Sequence, residues 1–275
     1  DRAAAGFPNF AACEGAGASL RVIAETFRAP AKKSWDDFSP MASIQYRPND
    51  NLMVFGTVST GYKSGGFAGS QGVKSAATEP VNKEGVTNYE IGFKSDLADG
   101  QVRFNGAAFY MDYRDLQVVR FGPVPGSAFG SFLTTNIGKA NILGAEVELN
   151  WRVTEELTLT ASYAYLDTEA KGLLINGTDY SGLPLRQAPT NSYNIIADYT
   201  MVLDNDSGEL NFNADLTHTD ESHNDFATAS QTLNDAKTLL NGSITWTSAS
   251  ENFKLSAWAK NLTNKSYVAH AYFIG

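Results

Sequence analysis

NIGKANILGAEVELNWRVTEELTLTASYAY, residues 136–165, holds one hairpin almost whole. From Ala145 the side chains alternate, with Ala145, Val147, Leu149 and Trp151 on one face and Glu146, Glu148, Asn150 and Arg152 on the other. A period of two is the mark of a strand. A polar turn at Thr154 and Glu155 follows, and alternation resumes with Leu157, Leu159, Ala161, Tyr163 and Tyr165 against Thr158, Thr160 and Ser162. A soluble sandwich could also carry a charged face if that face met water. It has no need of aromatic rings near both ends of the apolar stripe. Trp151 lies at the turn end and Tyr163 and Tyr165 towards the other, as expected of a strand pair crossing a bilayer with its rings at the two interfaces.

The same pattern extends outward in both directions. Upstream, strands are expected at Ser39–Tyr46, Leu52–Tyr62, Thr87–Ser95 and from Gln101 to about Val119. Downstream they are expected at Ser192–Leu203, Glu209–Thr219, Thr238–Thr247 and Asn252–Asn261. Short turns such as Arg47–Asn51, Asp96–Gly100 and Asp204–Gly208 are rich in Asn, Asp, Gly and Pro. They alternate with long polar segments near 63–83, 120–134, 168–190 and 220–236. About ten strands joined alternately by short turns and long loops form the signature of an outer-membrane barrel, with short turns periplasmic and long loops outside. The expected organisation is an extracellular loop segment at 1–37, barrel strands over 38–262, and a second extracellular loop at 263–275 that leads to a missing final strand.

Composition narrows the alternatives. The chain is 43% hydrophobic with 24 glycines spread through patterned segments, which argues against a low-complexity or disordered polymer. Mean hydropathy is slightly negative and no run approaches the length of an apolar spanning helix, so a helical membrane protein is excluded. With net charge −9 and no Lys/Arg cluster, nucleic acid is an improbable partner. The single Cys13 cannot close an internal disulfide, and no signal peptide opens the chain.

Five segments resemble the C-terminal barrel of TonB-dependent outer-membrane receptors. They are GYKSGGF at 61–67, NYEIGFKS at 88–95, FYMDYRDLQV at 109–118, NIGKANILGAEVE at 136–148 and NLTNKSY at 261–267. Their order and spacing both fit, and the match runs from about Trp35 to Tyr267. The resemblance implies an all-β transmembrane barrel of about 22 strands closed by an N-terminal plug. Such a receptor binds a scarce nutrient at the cell surface, a ferric siderophore most commonly, and imports it with energy passed through the TonB complex. Nothing here resembles the plug or the TonB-contacting segment, and ten strands are fewer than half of such a barrel. A half-barrel would leave two unpaired edges in lipid, so the chain is expected to be part of a longer protein. The implied partners are outer-membrane lipid and lipopolysaccharide, the plug of the same protein, the TonB complex and a small-molecule or metal-chelate substrate. The alternative is a passive porin or surface adhesin on a smaller barrel, which a signal peptide directly upstream would favour over a plug.

Candidate functional residues follow from the frame. Glu90, Lys94, Arg103, Asn105, Glu146, Glu148, Asn150 and Arg152, with Asn211, Asn213 and Asp215, fall on the polar face and would line the lumen and meet the plug. In the long loops, Lys63, Phe67, Phe121, Phe129, Phe132, Tyr180 and Arg186 could offer aromatic platforms and charge to a bulky solute. Asp220, Glu221, Asp225 and Asp235, with His218 and His223, could attract a divalent cation, but their spacing is not a ligand motif. Asp204–Gly208 opens like a calcium loop yet lacks a glutamate at the twelfth position, and reads as a turn. Gly61–Gly72 lacks the order of a phosphate-binding loop. With three His and one Cys scattered along the chain, no catalytic constellation is visible and no cofactor is called for.

Overall fold

The computed structural model describes residues 30–67, 77–124, 130–136, 138–175, 177–226 and 232–269. In chain order its strands are β1 (Met41–Asn49), β2 (Leu52–Lys63), β3 (Gly66–Phe67), β4 (Pro80–Val81), β5 (Glu84–Leu97), β6 (Val102–Arg114), β7 (Gln117–Pro123), β8 (Gly130–Asn136) and β9 (Lys139–Arg152). They continue with β10 (Leu157–Lys171), β11 (Leu174–Ile175), β12 (Thr178–Asp179), β13 (Asn191–Val202), β14 (Glu209–Thr219), β15 (Ser222–His223), β16 (Leu233–Asn234), β17 (Lys237–Thr247) and β18 (Lys254–Ala259). Ten of them form one sheet in the order β1-β2-β5-β6-β9-β10-β13-β14-β17-β18. Every pairing in it is antiparallel and joins strands that follow one another around the sheet.

Alternation of short and long connections is as expected, and one finding goes beyond it. Each of the four long connections carries its own two-stranded hairpin, namely β3–β4, β7–β8, β11–β12 and β15–β16. The expected single strand from Gln101 to about Val119 breaks at Asp115, whose φ of 53° turns the chain out of the sheet. Aspartate enters this left-handed region more readily than most residues. Beyond it, β7 pairs with β8 rather than with a strand of the large sheet, so much of the stretch expected as a loop at 120–134 is hairpin.

The central hairpin is also longer than its sequence pattern. β9 and β10 pair from Arg152 and Thr158 to Lys139 and Lys171, so Tyr163 and Tyr165 lie short of the strand tips. They mark the edge of the apolar band, and polar strand continues past them.

Register places Ile44, Gly56, Ile91, Ala108 and Ala145 in one row across five strands. Along this face Ile44 is 75%, Ile91 68%, Leu143 50% and Leu255 71% exposed. A sandwich would cover such a face with a second sheet. Among the described residues no second layer lies against it. Among the described residues a buried apolar cluster sits at the long-loop end, where Val118, Ala170, Leu173 and Phe226 meet.

Glycines let aromatic rings lie flat on this sheet. A Cβ on Gly92 would come within 2.6 Å of the Phe55 ring and 2.7 Å of the Gly106 carbonyl oxygen, a backbone atom that cannot swing aside. Gly92→Val is therefore expected to destabilise the protein by about 1–3 kcal/mol through overpacking. Urea unfolding of the full-length protein in detergent checks this, and an unchanged midpoint would show that the ring yields freely.

Candidate functional site on the polar face and loop cap

Because directly paired residues share a face, the register can be read as a map of the polar face. Arg103 opposes Asn150, Asn105 opposes Glu148 and Lys94, and Asn150 and Arg152 oppose Thr160 and Thr158. Glu90 opposes Thr57 and Phe109, and Glu146 opposes Ala107 and Ala164. All eight residues picked from the sequence thus stand on one face of three adjacent strands, β5, β6 and β9. Arg103 is held by Asp96 at 2.8 Å, and Asn150 donates to the Thr160 hydroxyl at 3.1 Å. Glu90, Glu146 and Glu148 line an open recess with Lys94 and Asn105, floored by Met53 and Phe55. Three carboxylates face one ammonium there, so the recess carries net negative charge.

Further along, the same face is a self-satisfied ladder. Asp198 accepts from Asn211 at 2.8 Å and from Asn213 at 3.2 Å, and Asp215 accepts from Asn241 at 2.9 Å. Asn241 in turn accepts from the Asn261 backbone at 2.8 Å. Asp198 and Asn241 were not singled out from the sequence, although their polar positions within alternating strands carried the signal. In the recess Glu90 accepts from the Asn88 amide at 3.4 Å, and Glu146 and Glu148 stand exposed beside it.

The long loops converge into a cap with its own core. Leu173 and Ala170 are fully buried against Val118 and Phe226, with Leu116, Ile175, Tyr180 and Leu185 packed around them. The Arg186 guanidinium lies 5.3 Å over the Phe226 ring and donates to the Val119 carbonyl at 3.3 Å. Tyr180 and Arg186 are thus engaged in joining loops to one another. Polar clamps add to this. Gln117 takes the Glu84 carboxylate on its backbone N–H at 2.6 Å, and the side chains of Gln117 and Asn136 both donate to the Asn82 carbonyl at 2.9 Å. Phe67 packs edge-on against Trp35 at 5.9 Å, Lys63 opposes Glu84 at the end of β2, and Phe132 is 49% exposed on β8. Phe129 lies outside the described residues, and so does the side chain of Phe121, whose backbone pairs with Phe132.

At the sheet rim, His218 stacks on Tyr193 at 4.7 Å, with one ring nitrogen 2.7 Å from the Thr238 hydroxyl and the other 3.1 Å from Asp220. Asp220 also accepts from the Asn191 amide at 2.6 Å and the Asn191 backbone at 3.0 Å. The Asn191 side chain first, then His218, holds the Asp220 carboxyl below the usual carboxylate range. A depressed folded pKa stabilises this corner above the pKa of a free aspartate, and the contribution is lost as pH falls through the depressed value. Amide exchange at 191–193 and 218–220, corrected for intrinsic rates, is therefore expected to rise on acidification, and less so in Asp220→Asn. Equal pH dependence in both proteins would refute the role given to Asp220. The Asp204–Gly208 segment closes as a turn, with Leu203 N–H to Gly208 carbonyl at 2.8 Å and Gly208 at φ 92°.

Comparison with known proteins adds a frame. The family described as TonB dependent receptor-like, beta-barrel matches residues 16–262. The chain is 22% identical over 258 residues to the probable TonB-dependent siderophore receptor PiuA of Acinetobacter baumannii, covering 88% of this chain and 32% of that protein. It is 30% identical over 133 residues to the pesticin receptor of Yersinia enterocolitica, covering 48% of this chain and 18% of that one. Among solved structures, the ferric yersiniabactin uptake receptor FyuA from Yersinia pestis superposes with a TM-score of 0.70 at 22% identity, over 86% of this chain and 33% of that chain. The chain thus spans a third or less of the length of these relatives.

Proposed function

The chain belongs to the TonB-dependent receptor β-barrel family, and from that premise we propose that it supplies neighbouring strands of an outer-membrane receptor that captures a metal chelate, a ferric siderophore foremost, and imports it unchanged with TonB-coupled energy. The observation that carries this reading is the single-layered sheet of ten strands, apolar and uncovered on one face and polar on the other. An apolar band open to its surroundings suits lipid, and a wet polar face suits a lumen. β1 and β18 each have one neighbour in the sheet, so closure in a bilayer calls for further strands. The relatives support the substrate class: PiuA is named a siderophore receptor, and FyuA a ferric yersiniabactin uptake receptor.

In this reading the acidic recess of Glu90, Glu146 and Glu148 receives the plug of the same protein. The cap of long loops stands on the extracellular side and holds the capture surface in place. Lys63, Phe67, Phe121, Phe129 and Phe132 are candidates to touch the solute. Tyr180 and Arg186 act by fastening the cap.

Two measurements test it. Cells carrying the full-length receptor should accumulate siderophore-bound radioactive iron only when TonB is present. Uptake that persists without TonB would favour the passive-porin alternative. Sidedness is read separately, in a Cys13→Ser background: Thr178→Cys, exposed in the β11–β12 hairpin, should react with an impermeant maleimide on intact cells, whereas Glu251→Cys should react only after permeabilisation. The reverse result would invert the topology.

A further inference from the structure

The loop cap consists of two parts that are held in different ways. The larger contains the apolar cluster, to which β7 gives Val118, the end of β10 Ala170, the loop after it Leu173 and the β15–β16 connection Phe226. The smaller is made of β3, β4 and a strap, residues 33–37, on the way into β1, and none of the cluster's residues comes from it. Trp35 seats the strap. It packs edge-on against Phe67 at 5.9 Å and lies so close over Gly65 that a Cβ there would run into the indole. Ser34 and Asp36 on either side are exposed, so one ring supplies the packing. Two ammonium groups complete the seat: Lys33 donates to the Asn82 side-chain oxygen at 2.7 Å, and Lys83 donates to the Asp36 carbonyl at 2.8 Å and meets Asp37 at 2.6 Å.

The joint between the two parts is polar. The Asn82 backbone N–H donates to the Asn136 side-chain oxygen at 2.7 Å, and the Asn82 carbonyl accepts from the Asn136 and Gln117 amides, each at 2.9 Å. Gln117 also donates to the Ser64 carbonyl at 3.0 Å, and its backbone N–H to the Glu84 carboxylate at 2.6 Å. Asn82 thus divides its groups, with its side chain on the strap and its backbone across the joint. The four bonds made by the Gln117 and Asn136 side chains are open to water, which can replace each of them at small net cost. Parting the apolar cluster would instead expose Ala170 and Leu173, both fully buried. The smaller part joins the sheet where β1 begins at Met41, where β2 ends at Lys63 and where β5 begins at Glu84. Those three strands are neighbours, so the attachments lie along one line and can serve as a hinge.

We propose that the cap opens along this joint: the strap, β3 and β4 swing together as a lid about the ends of β1, β2 and β5, while the larger part stays closed. Each side-chain bond across the joint favours the closed form by about fivefold, so the four from Gln117 and Asn136 form a latch of about a hundredfold or more. Trp35 is the pin that makes the strap travel with β3 and β4. Phe67 moves with the lid, and Phe132 and Arg186 stay behind, so under the import reading the motion parts two groups of residues on the capture side. The motion itself does not depend on that reading.

The test uses the full-length receptor in detergent, in a Cys13→Ser background and without solute, with pairs of spin labels whose separations are read by dipolar spectroscopy. Lys32→Cys with Glu79→Cys lies within the lid, Thr178→Cys with Glu221→Cys within the larger part, and Lys32→Cys with Thr178→Cys across the joint, all at exposed sites. Combining Gln117→Ala with Asn136→Ala should shift most molecules to a second, longer separation across the joint and leave both within-part separations unchanged. An unchanged separation across the joint would overturn the proposal. Loosening of the 178–221 pair in step with it would do the same, since the cap would then open as one unit. So would loosening of the 32–79 pair, which would mean that the strap leaves without β3 and β4. If the double variant does not assemble, Gln117→Ala alone removes two of the four bonds and should move the balance in the same direction by about twenty-fivefold. Solute uptake is not part of the readout, so failure of the import reading would leave this result standing.

Discussion

Changing Glu146 and Glu148 together to lysine in the full-length receptor is expected to lower solute uptake by a hundredfold or more while the barrel still assembles. The two carboxylates stand two residues apart on β9, facing the recess that also holds Glu90 and Lys94. In the isolated sheet they are exposed, and they cost nothing there. In the proposed receptor a plug fills the lumen and these carboxylates lose water, and a buried carboxylate must find a hydrogen-bonded or charged partner. Removing one member of such a buried pair costs about 3–5 kcal/mol, and reversing its sign adds repulsion. Glu146→Gln with Glu148→Gln keeps shape and hydrogen bonding and should fall between the two. Heat-modifiable migration on gels reports barrel assembly, and uptake of labelled chelate reports function. A reversal variant that keeps uptake within threefold of normal would remove the recess from the plug interface.

The second large effect is expected in the cap. Leu173→Ala removes a fully buried side chain from the cluster of Val118, Ala170 and Phe226. Truncating a buried leucine costs about 2–5 kcal/mol. The cap is small and its elements come from three different loops, so that cost falls on local opening more than on the barrel. Hydrogen exchange at 117–123 and 222–226 should accelerate by about a hundredfold, with exchange in β5, β9 and β13 unchanged. Chelate affinity should fall with it if the proposed capture surface is held by the same packing. Arg186→Ala, which loses the stacking on Phe226 and one carbonyl contact, should act in the same direction and more weakly. Uniform acceleration across sheet and cap would show that the two are one cooperative unit.

What the sequence disclosed and what it withheld divide along physical lines. Within the apolar band one face of each strand is apolar throughout, and the other is polar apart from residues such as Met53, Phe55, Phe93 and Phe109, so there the strands were legible to within a few residues. Past the band the alternation fades: Asp112, Asn141, Asp167 and Glu169 stand where apolar residues would stand lower down, so β9 was read from Ala145 although it begins at Lys139. That the eight polar residues of β5, β6 and β9 share one face was legible for the same reason as the strands. The cap was not. Its core unites Val118, Leu173 and Phe226 from separate loops, and no local period marks residues that meet only in space. Arg186 and Tyr180 were noticed for their chemistry, and the structure gives them neighbours within the cap that spacing alone could not supply.

The order of the sheet has a bearing on how such a wall comes to exist. Every strand of it pairs only with the strands before and after it in the chain, across connections of two to about two dozen residues. Low contact order of this kind lets a sheet grow one hairpin at a time, each step closing only a short loop. In a complete barrel a single junction escapes that rule, the seam where the last strand meets the first. The large entropy of ring closure falls on that one join, and the edge strands on either side of it stay exposed to mispairing longest.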